Sequence, residues 1–326
     1  MMLARVAAEF YWLGRYVERI EHTARLLRFQ LDRLADRPAD ELTLGWQAVY
    51  RILGQPPVGK TASGDDAETV VMPDAYTLAG GLVEERANPD SLLSCWEHGR
   101  ENGQRVRAQL PLPVWTCLNQ GYLWIRDCDF SAAWSEAPAA LVNEAIDRLR
   151  LFAGVVDAAM PRDEAWRFLE LGRFIERVQH QSVLLASWVE FSREEHAANA
   201  LSWADLLRVC GAYEVYCRRH STNVDRTEAL NLLTRDPELP RSLRFAVHRI
   251  EDLLTGIDPV GARYPLAPPH RMALRLTAAV EMGNNGGSDE TDAGGFFRSL
   301  EDESRTLHHL TMAAYVTHSP PQGLAK

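Results

Sequence analysis

Two short stretches of this sequence carry guanidinium and carboxylate groups at spacings that place them on one side of a helix. Arg15, Glu18 and His22 stand three and four residues apart, and so do Arg173, Glu176 and His180. Arg19 and Arg177 directly follow the two glutamates. Arginine offers a planar fork of donors that pairs two at a time with a carboxylate or a phosphate. Such a constellation has two uses. It can clamp an anionic ligand, with Arg15, Arg19, Arg173 and Arg177 as binders and Glu18 or Glu176 as a general base. It can equally be an ion-pair network that fixes the register of buried helices. Loss of one partner from such a network costs about 3–5 kcal/mol with no ligand involved. A third cluster, Arg100, Glu101, Asn102 and Arg105, admits the same two readings.

Other chemistry finds less support. Gly54-Gln-Pro-Pro-Val-Gly59-Lys60-Thr61 matches the Walker A pattern letter for letter. A phosphate loop needs a strand before it, backbone N–H groups aimed at phosphate and a helix after it. Here a helical pattern precedes it, and Pro56 and Pro57 remove two donors. Gly54 reads more simply as a helix C-cap, and no cofactor is expected. A di-iron bundle needs Glu-x-x-His pairs, and none of the ten histidines has a glutamate three residues earlier. No metal site is expected, and His308 and His309, on consecutive helical positions, read as surface. Cys95, Cys117, Cys128, Cys210 and Cys217 form no CxxC pair and read as reduced thiols of a cytoplasmic protein.

The elements that must position these groups are helices. Apolar residues recur with a period near 3.6 almost throughout, and no stretch alternates with a period of two. The pattern predicts helices over 3–34, 41–53, 74–86, 90–109 and 113–125, a break over 127–138, and a helix to 159. It then predicts a long helix from Pro161 to 192, others over 203–219, 226–233, 240–256 and 271–281, a connector over 283–295, and a last helix over 296–316. The 326 residues carry 45 acidic against 35 basic side chains, a net charge of −10, with Lys60 and Lys326 the only lysines. An acidic chain without a basic block is a poor partner for nucleic acid, and no apolar run is long enough to span a membrane.

The sequence also repeats itself. Leu13-Gly14-Arg15-Tyr16-Val17-Glu18-Arg19-Ile20-Glu21-His22 recurs as Leu171-Gly172-Arg173-Phe174-Ile175-Glu176-Arg177-Val178-Gln179-His180. Trp46 with Arg51 and Gly54 pairs with Trp203, Arg208 and Gly211 at nearly the same offset. Pro89-Asp90-Ser91-Leu92 pairs with Pro240-Arg241-Ser242-Leu243. The expectation is an all-α multi-helix bundle forming one domain, 1–326. It would comprise two duplicated helical repeats, about 3–125 and 161–257, and a C-terminal extension over about 268–318. Gly14 and Gly172 would let a neighbouring helix approach closely.

The opening Ala4-Arg5-Val6-Ala7-Ala8-Glu9-Phe10-Tyr11-Trp12-Leu13-Gly14-Arg15-Tyr16-Val17-Glu18-Arg19 resembles the start of the bacterial alpha-E family. The likeness continues through Arg100-Glu101-Asn102 with Arg105, Trp115 with Asn119 and Tyr122-Leu123-Trp124, then Trp166 to Arg173 and Glu176-Arg177. His22 departs from the family pattern, where asparagine is common. The resemblance implies a helical protein encoded beside, or fused to, circularly permuted ATP-grasp and transglutaminase-like proteins. The expected function is thus a non-catalytic helical partner, or substrate-presenting subunit, of an ATP-grasp-type amide or peptide ligase. An enzyme using the Arg/Glu clusters on a peptide-like or anionic substrate is the alternative, and a homodimeric scaffold the second.

Overall fold

Side chains that cap backbone N–H groups set most of the helix starts. The computed structural model describes residues 2–56, 73–194, 201–283 and 290–316, and among these the regular structure is helical with no strand. The helices are α1 (Ala4–Asp32), α2 (Ala39–Leu53), α3 (Ala75–Val83), α4 (Leu92–Arg105), α5 (Leu112–Arg126), α6 (Phe130–Glu136) and α7 (Pro138–Ala159). There follow α8 (Glu164–Phe191), α9 (Trp203–Val209), α10 (Tyr213–Arg219), α11 (Arg226–Arg235), α12 (Leu243–Ile257), α13 (Pro268–Met282) and α14 (Glu290–Thr311). Asp74, Ser91, Asp129, Asp163, Ser202, Asp225 and Ser242 each accept a hydrogen bond from the amide three residues on. Each thereby satisfies one of the four orphan donors at a helix start. The α5, α7 and α13 helices carry proline in their first turn instead, where the missing N–H costs nothing.

Two long helices form the centre. α1 and α8 pack on one another along most of their length, and both bury residues on nearly every face. They run parallel. The backbone amide of Met2 meets Glu164, the His22 ring meets His180, and Phe29 meets Trp188. Around α1 lie α4, α5 and α7, each touching the next; around α8 lie α12, α13 and α14 in the same relation. Two four-helix groups therefore share one central seam. At its tightest point there is no room for a side chain. A Cβ on Gly14 would overlap the Leu169 carbonyl, and one on Gly172 the Tyr11 carbonyl. Only glycine permits that backbone approach.

Several boundaries differ from the periodic reading, each for a local reason. The 203–219 stretch is two helices, because Gly211 adopts φ +64° and its amide returns to Arg208. Gly54, at φ +67°, ends α2 in the same left-handed cap, which accounts for the first glycine of the Walker-like string. The rest of that string, from residue 57 on, lies outside the described residues. The break over 127–138 contains α6, started by the Asp129 cap and packed through Phe130 and Trp134 on Tyr76. The predicted 90–109 helix ends at Arg105, with a 3₁₀ turn over Arg107–Gln109. α8 starts three residues after Pro161, at the Asp163 cap, and α12 starts after Ser242. α14 begins at Glu290, inside the expected connector; residues 284–289 lie outside the description.

Candidate functional site

Because α1 and α8 are parallel, residue i of one helix faces its sequence counterpart on the other, and the charged stripes meet. Their pairing is crosswise. Arg177 donates from Nε and Nη2 to both oxygens of Glu18, at 2.7 and 2.6 Å. Arg19 Nε donates to Glu176 at 2.7 Å, and Arg15 Nε donates to the other Glu176 oxygen. Arg173 lies 3.9 Å from Glu18 and donates at 2.7 Å to Glu170. Both glutamates are essentially without solvent exposure.

Burial alone would raise the carboxyl pKa of Glu18, but the charge and hydrogen bonds of Arg177, with Arg241 behind, hold it below the ordinary range. Glu176 is likewise penalised by burial and held well below that range by Arg15, Arg19 and His180. At neutral pH each is an ionised carboxylate saturated with guanidinium donors. Such a group is a weak base, so this geometry suits bracing and orientation better than proton abstraction.

The two sides of the seam are otherwise unequal. On the Glu18 side, Arg241 pairs with both Glu18 (3.4 Å) and Glu21. Arg25 donates to Glu21 at 2.8 Å, and its Nη1 stands against Gly211. These two side chains plug that side. On the Glu176 side, Asp90 occupies the place of Arg241 and accepts from Arg19 at 2.6 Å. Val183 stands where Arg25 stands opposite, and among the described residues no heavy atom lies within 4 Å of the open face of Gly54. A cleft of ≈ 340 Å³ results. Its floor is Arg15, Glu176 and Arg19, with Gln179 and His180 beside them. Its walls carry Arg51 from α2 and Arg298, Glu301 and Arg305 from α14. Among described lining residues, five guanidinium groups face three carboxylates, a local cationic excess in a chain of net charge −10. His180 Nε2 donates to Glu176 at 2.9 Å, while the ring of His22, its counterpart, meets it edge-on at 4.3 Å.

The sequence-predicted residues divide accordingly. Arg15, Arg19 and Glu176 reach the cleft; Arg177 and Glu18 sit buried on the plugged side, with Arg173 partly buried beside them. Arg100, Glu101, Asn102 and Arg105 line neither. Arg100 donates to Asn119 at 2.8 Å and lies over Tyr122 and Trp115, and Arg105 is more than half exposed beside Glu9. Sequence reading missed Asp90 and Arg241, although both stand between a proline and a capping serine in the third repeat match. It also placed His308 on the surface, which the structure corrects. His308 Nδ1 lies 2.8 Å from the Tyr11 hydroxyl and 2.9 Å from Arg15 Nη1, pinning α14 to α1. A guanidinium can only donate, so that ring nitrogen accepts and carries no proton. Burial first, and then Arg15, lowers the His308 pKa to about 4. Among the described residues no group of three or more His, Cys, Asp or Glu is arranged to hold a metal ion.

These shifts predict a two-stage acid response. His22 is pushed well below 6.5 by burial and by His180, and His308 to about 4. Below pH 6.5 the unfolded chain binds protons that the folded one refuses, so stability should fall as pH drops from about 6.5. Glu18, Glu21 and Glu176 are lowered from 4.5, so their contribution is full above pH 4.5 and is lost on further acidification. Urea midpoints at pH 7.5, 5.5 and 3.5 should decline at both steps. A flat profile from 7.5 to 5.5 would exclude the neutral buried imidazoles.

A parallel helical pair locked by crosswise Glu-Arg pairs, inside a wrapping of shorter helices, is the class of protein that fold and site define. The chain belongs to the Alpha-E family, described as a predicted alpha-helical domain with a conserved ER motif, and the match covers residues 2–316. Glu18-Arg19 and Glu176-Arg177 both fit that description. Similar proteins include uncharacterised proteins of Mycobacterium tuberculosis (strain ATCC 25618 / H37Rv) and Mycobacterium bovis (strain ATCC BAA-935 / AF2122/97). Each is 25% identical over 315 residues, covering 93% of this chain and 35% of the relative. The chain thus spans about a third of the length of these relatives. No solved structure matches it.

Proposed function

We propose that this chain is a non-catalytic helical module that holds an anionic group in the Glu176 cleft and presents it to an amide- or peptide-forming ligase of the ATP-grasp type. The observation behind this reading is the one-sided opening of the seam: a cationic cleft whose carboxylate is already saturated by Arg15 and Arg19. Arg19 retains donors beyond its bonds to Glu176 and Asp90, and its side chain keeps partial solvent access. A substrate carboxylate or phosphate would complete that set. A cleft of this size suits a small ligand or a terminal segment of a peptide.

The module reading also fits the relatives, in which the similar segment is a minor part of a longer chain. An ATP-grasp-type protein is the proposed partner, and a transglutaminase-like protein a further one. The five cysteines, free in the structure, suit work in the cytoplasm. No described helix is long and apolar enough to cross a membrane.

Co-expression with an ATP-grasp-type protein of the same genome tests the reading. The expected result is a complex whose ligase activity depends on this chain and falls at least tenfold with Arg19→Ala, with complex formation intact. A ligase that neither binds the chain nor responds to it ends the proposal.

A further inference from the structure

The plugged side of the seam opens again further along α1. Beyond Arg25, the final turns of α1 and the turn after it form one wall of a cavity of ≈ 740 Å³, twice the volume of the Glu176 cleft. α7 supplies another wall through Ile146 and Arg150, and α9 and α10 supply a third through Arg208, Val209 and Tyr213. Six guanidinium groups line it among the described residues: Arg25, Arg28, Arg33, Arg37, Arg150 and Arg208. Four carboxylates accompany them, and two of these are engaged. Asp205 accepts from the amide and hydroxyl of its capping partner Ser202 and from Arg208. Asp32 stands 3.5 Å from Arg28. Outside the cavity lining, one carboxylate, Glu41, serves both Arg33 (3.6 Å) and Arg37 (3.2 Å).

The guanidinium groups are held in place. Arg33 lies over Phe29 at 4.9 Å, Arg208 over Tyr213 at 4.5 Å, and Arg25 is tied by two bonds to Glu21. Preorganised donors of this kind recognise carboxylates at low entropic cost. Between Arg25 and Asp32 the helix rises about 10 Å, and Arg33 and Arg37 continue the row. An extended peptide advances about 3.3 Å per residue, so several consecutive acidic residues would each meet a guanidinium. Phe29, Ile146 and Val209 supply an apolar floor. Asp36 and Glu214 also face the cavity. They can accept from the amides of a peptide, donors that a phosphodiester backbone lacks.

We propose that this cavity is a second binding site, separate from the Glu176 cleft, that takes an extended acidic peptide segment. Fluorescein-labelled hexaglutamate, followed by anisotropy, is the probe. Arg28, Arg37 and Arg208 have side chains roughly half exposed, so the triple variant Arg28→Ala, Arg37→Ala, Arg208→Ala should keep its melting temperature. Binding should weaken with added salt and fall at least tenfold in the triple variant, while Arg19→Ala in the other cleft leaves it unchanged. The site is overturned if hexaglutamate fails to bind, if binding survives in the folded triple variant, or if Arg19→Ala weakens it equally. Competition by hexathymidylate as effective as by unlabelled hexaglutamate would overturn the peptide assignment.

Discussion

Replacing Glu18 with glutamine should destabilise the chain by about 3–5 kcal/mol, the usual cost of breaking a buried pair from one side. The substitution keeps the shape of the side chain, removes its charge and turns one of its two acceptor oxygens into a donor facing Arg177. Arg177, which gives two donors to Glu18, and the nearby Arg173 and Arg241 would then share less negative charge in a region closed to water. Glu176→Gln should cost less, although its sequence setting is the same. Arg15 keeps Tyr11, His308 and Gln179 as partners, and Arg19 keeps Asp90 and the water of the cleft. Adding Arg177→Met to Glu18→Gln should recover part of the loss, since apolar replacement of both members of a buried pair is often close to neutral. Urea denaturation of the four proteins measures all of this. Equal losses for Glu18→Gln and Glu176→Gln would show that the two sides of the seam are electrostatically alike, contrary to the plugged and open geometry.

What the sequence revealed of this arrangement, and what it hid, follows from the range of the interactions. The charged stripes were visible because residues three and four apart share a helix face whatever the rest of the chain does. That the stripes stand on two similar segments was visible from the ten-residue match beginning at Leu13 and Leu171. Helix starts marked by Ser91, Asp163 and Ser242 were legible in principle, since a capping side chain acts within one turn. α6 was not anticipated, because seven residues are too few to show a period. The side on which the seam opens was not legible at all. It depends on Arg241 in place of Asp90 and Arg25 in place of Val183. Those substitutions acquire meaning only when the helices are known to run parallel and in register. The Arg100 cluster resembled the others in composition, yet stands on α4 among its own partners, Asn119 and Tyr122. Residue type alone could not separate it from the central pairs.

The wrapping helices carry a related lesson. The sequence reading ended the first repeat near 125 and set the helices after 268 apart as an extension. In the structure, α5 bridges α4 and α7 as α13 bridges α12 and α14, and α7 lies on α1 as α14 lies on α8. α13 and α14 thus stand to α8 as α5 and α7 stand to α1. The surfaces they cover differ: Ile146 and Arg150 of α7 face the larger cavity, whereas Arg298 and Arg305 of α14 face the smaller.

Gly14→Ala should destabilise the chain although alanine is the better helix former. In an exposed helix interior the change would gain about 1 kcal/mol. At Gly14 the new methyl group would overlap the Leu169 carbonyl, which belongs to the backbone of α8 and cannot rotate away. The helices must separate, and overpacking of this kind costs about 1–3 kcal/mol. Separation also lengthens the Glu18–Arg177 and Glu176–Arg19 bonds on either side of the contact, so the loss should exceed overpacking alone. Gly172→Ala meets the Tyr11 carbonyl and should behave alike. Gly154 in α7 provides the control, since among the described residues a Cβ there would have no heavy atom within 4 Å. Gly154→Ala should therefore raise the melting temperature while Gly14→Ala and Gly172→Ala lower it by several degrees. The opposite signs are the test, because helix propensity alone would move all three upward. If Gly14→Ala were as stabilising as Gly154→Ala, α1 and α8 could not be in backbone contact, and the charged groups that depend on that contact would have to be positioned by something else.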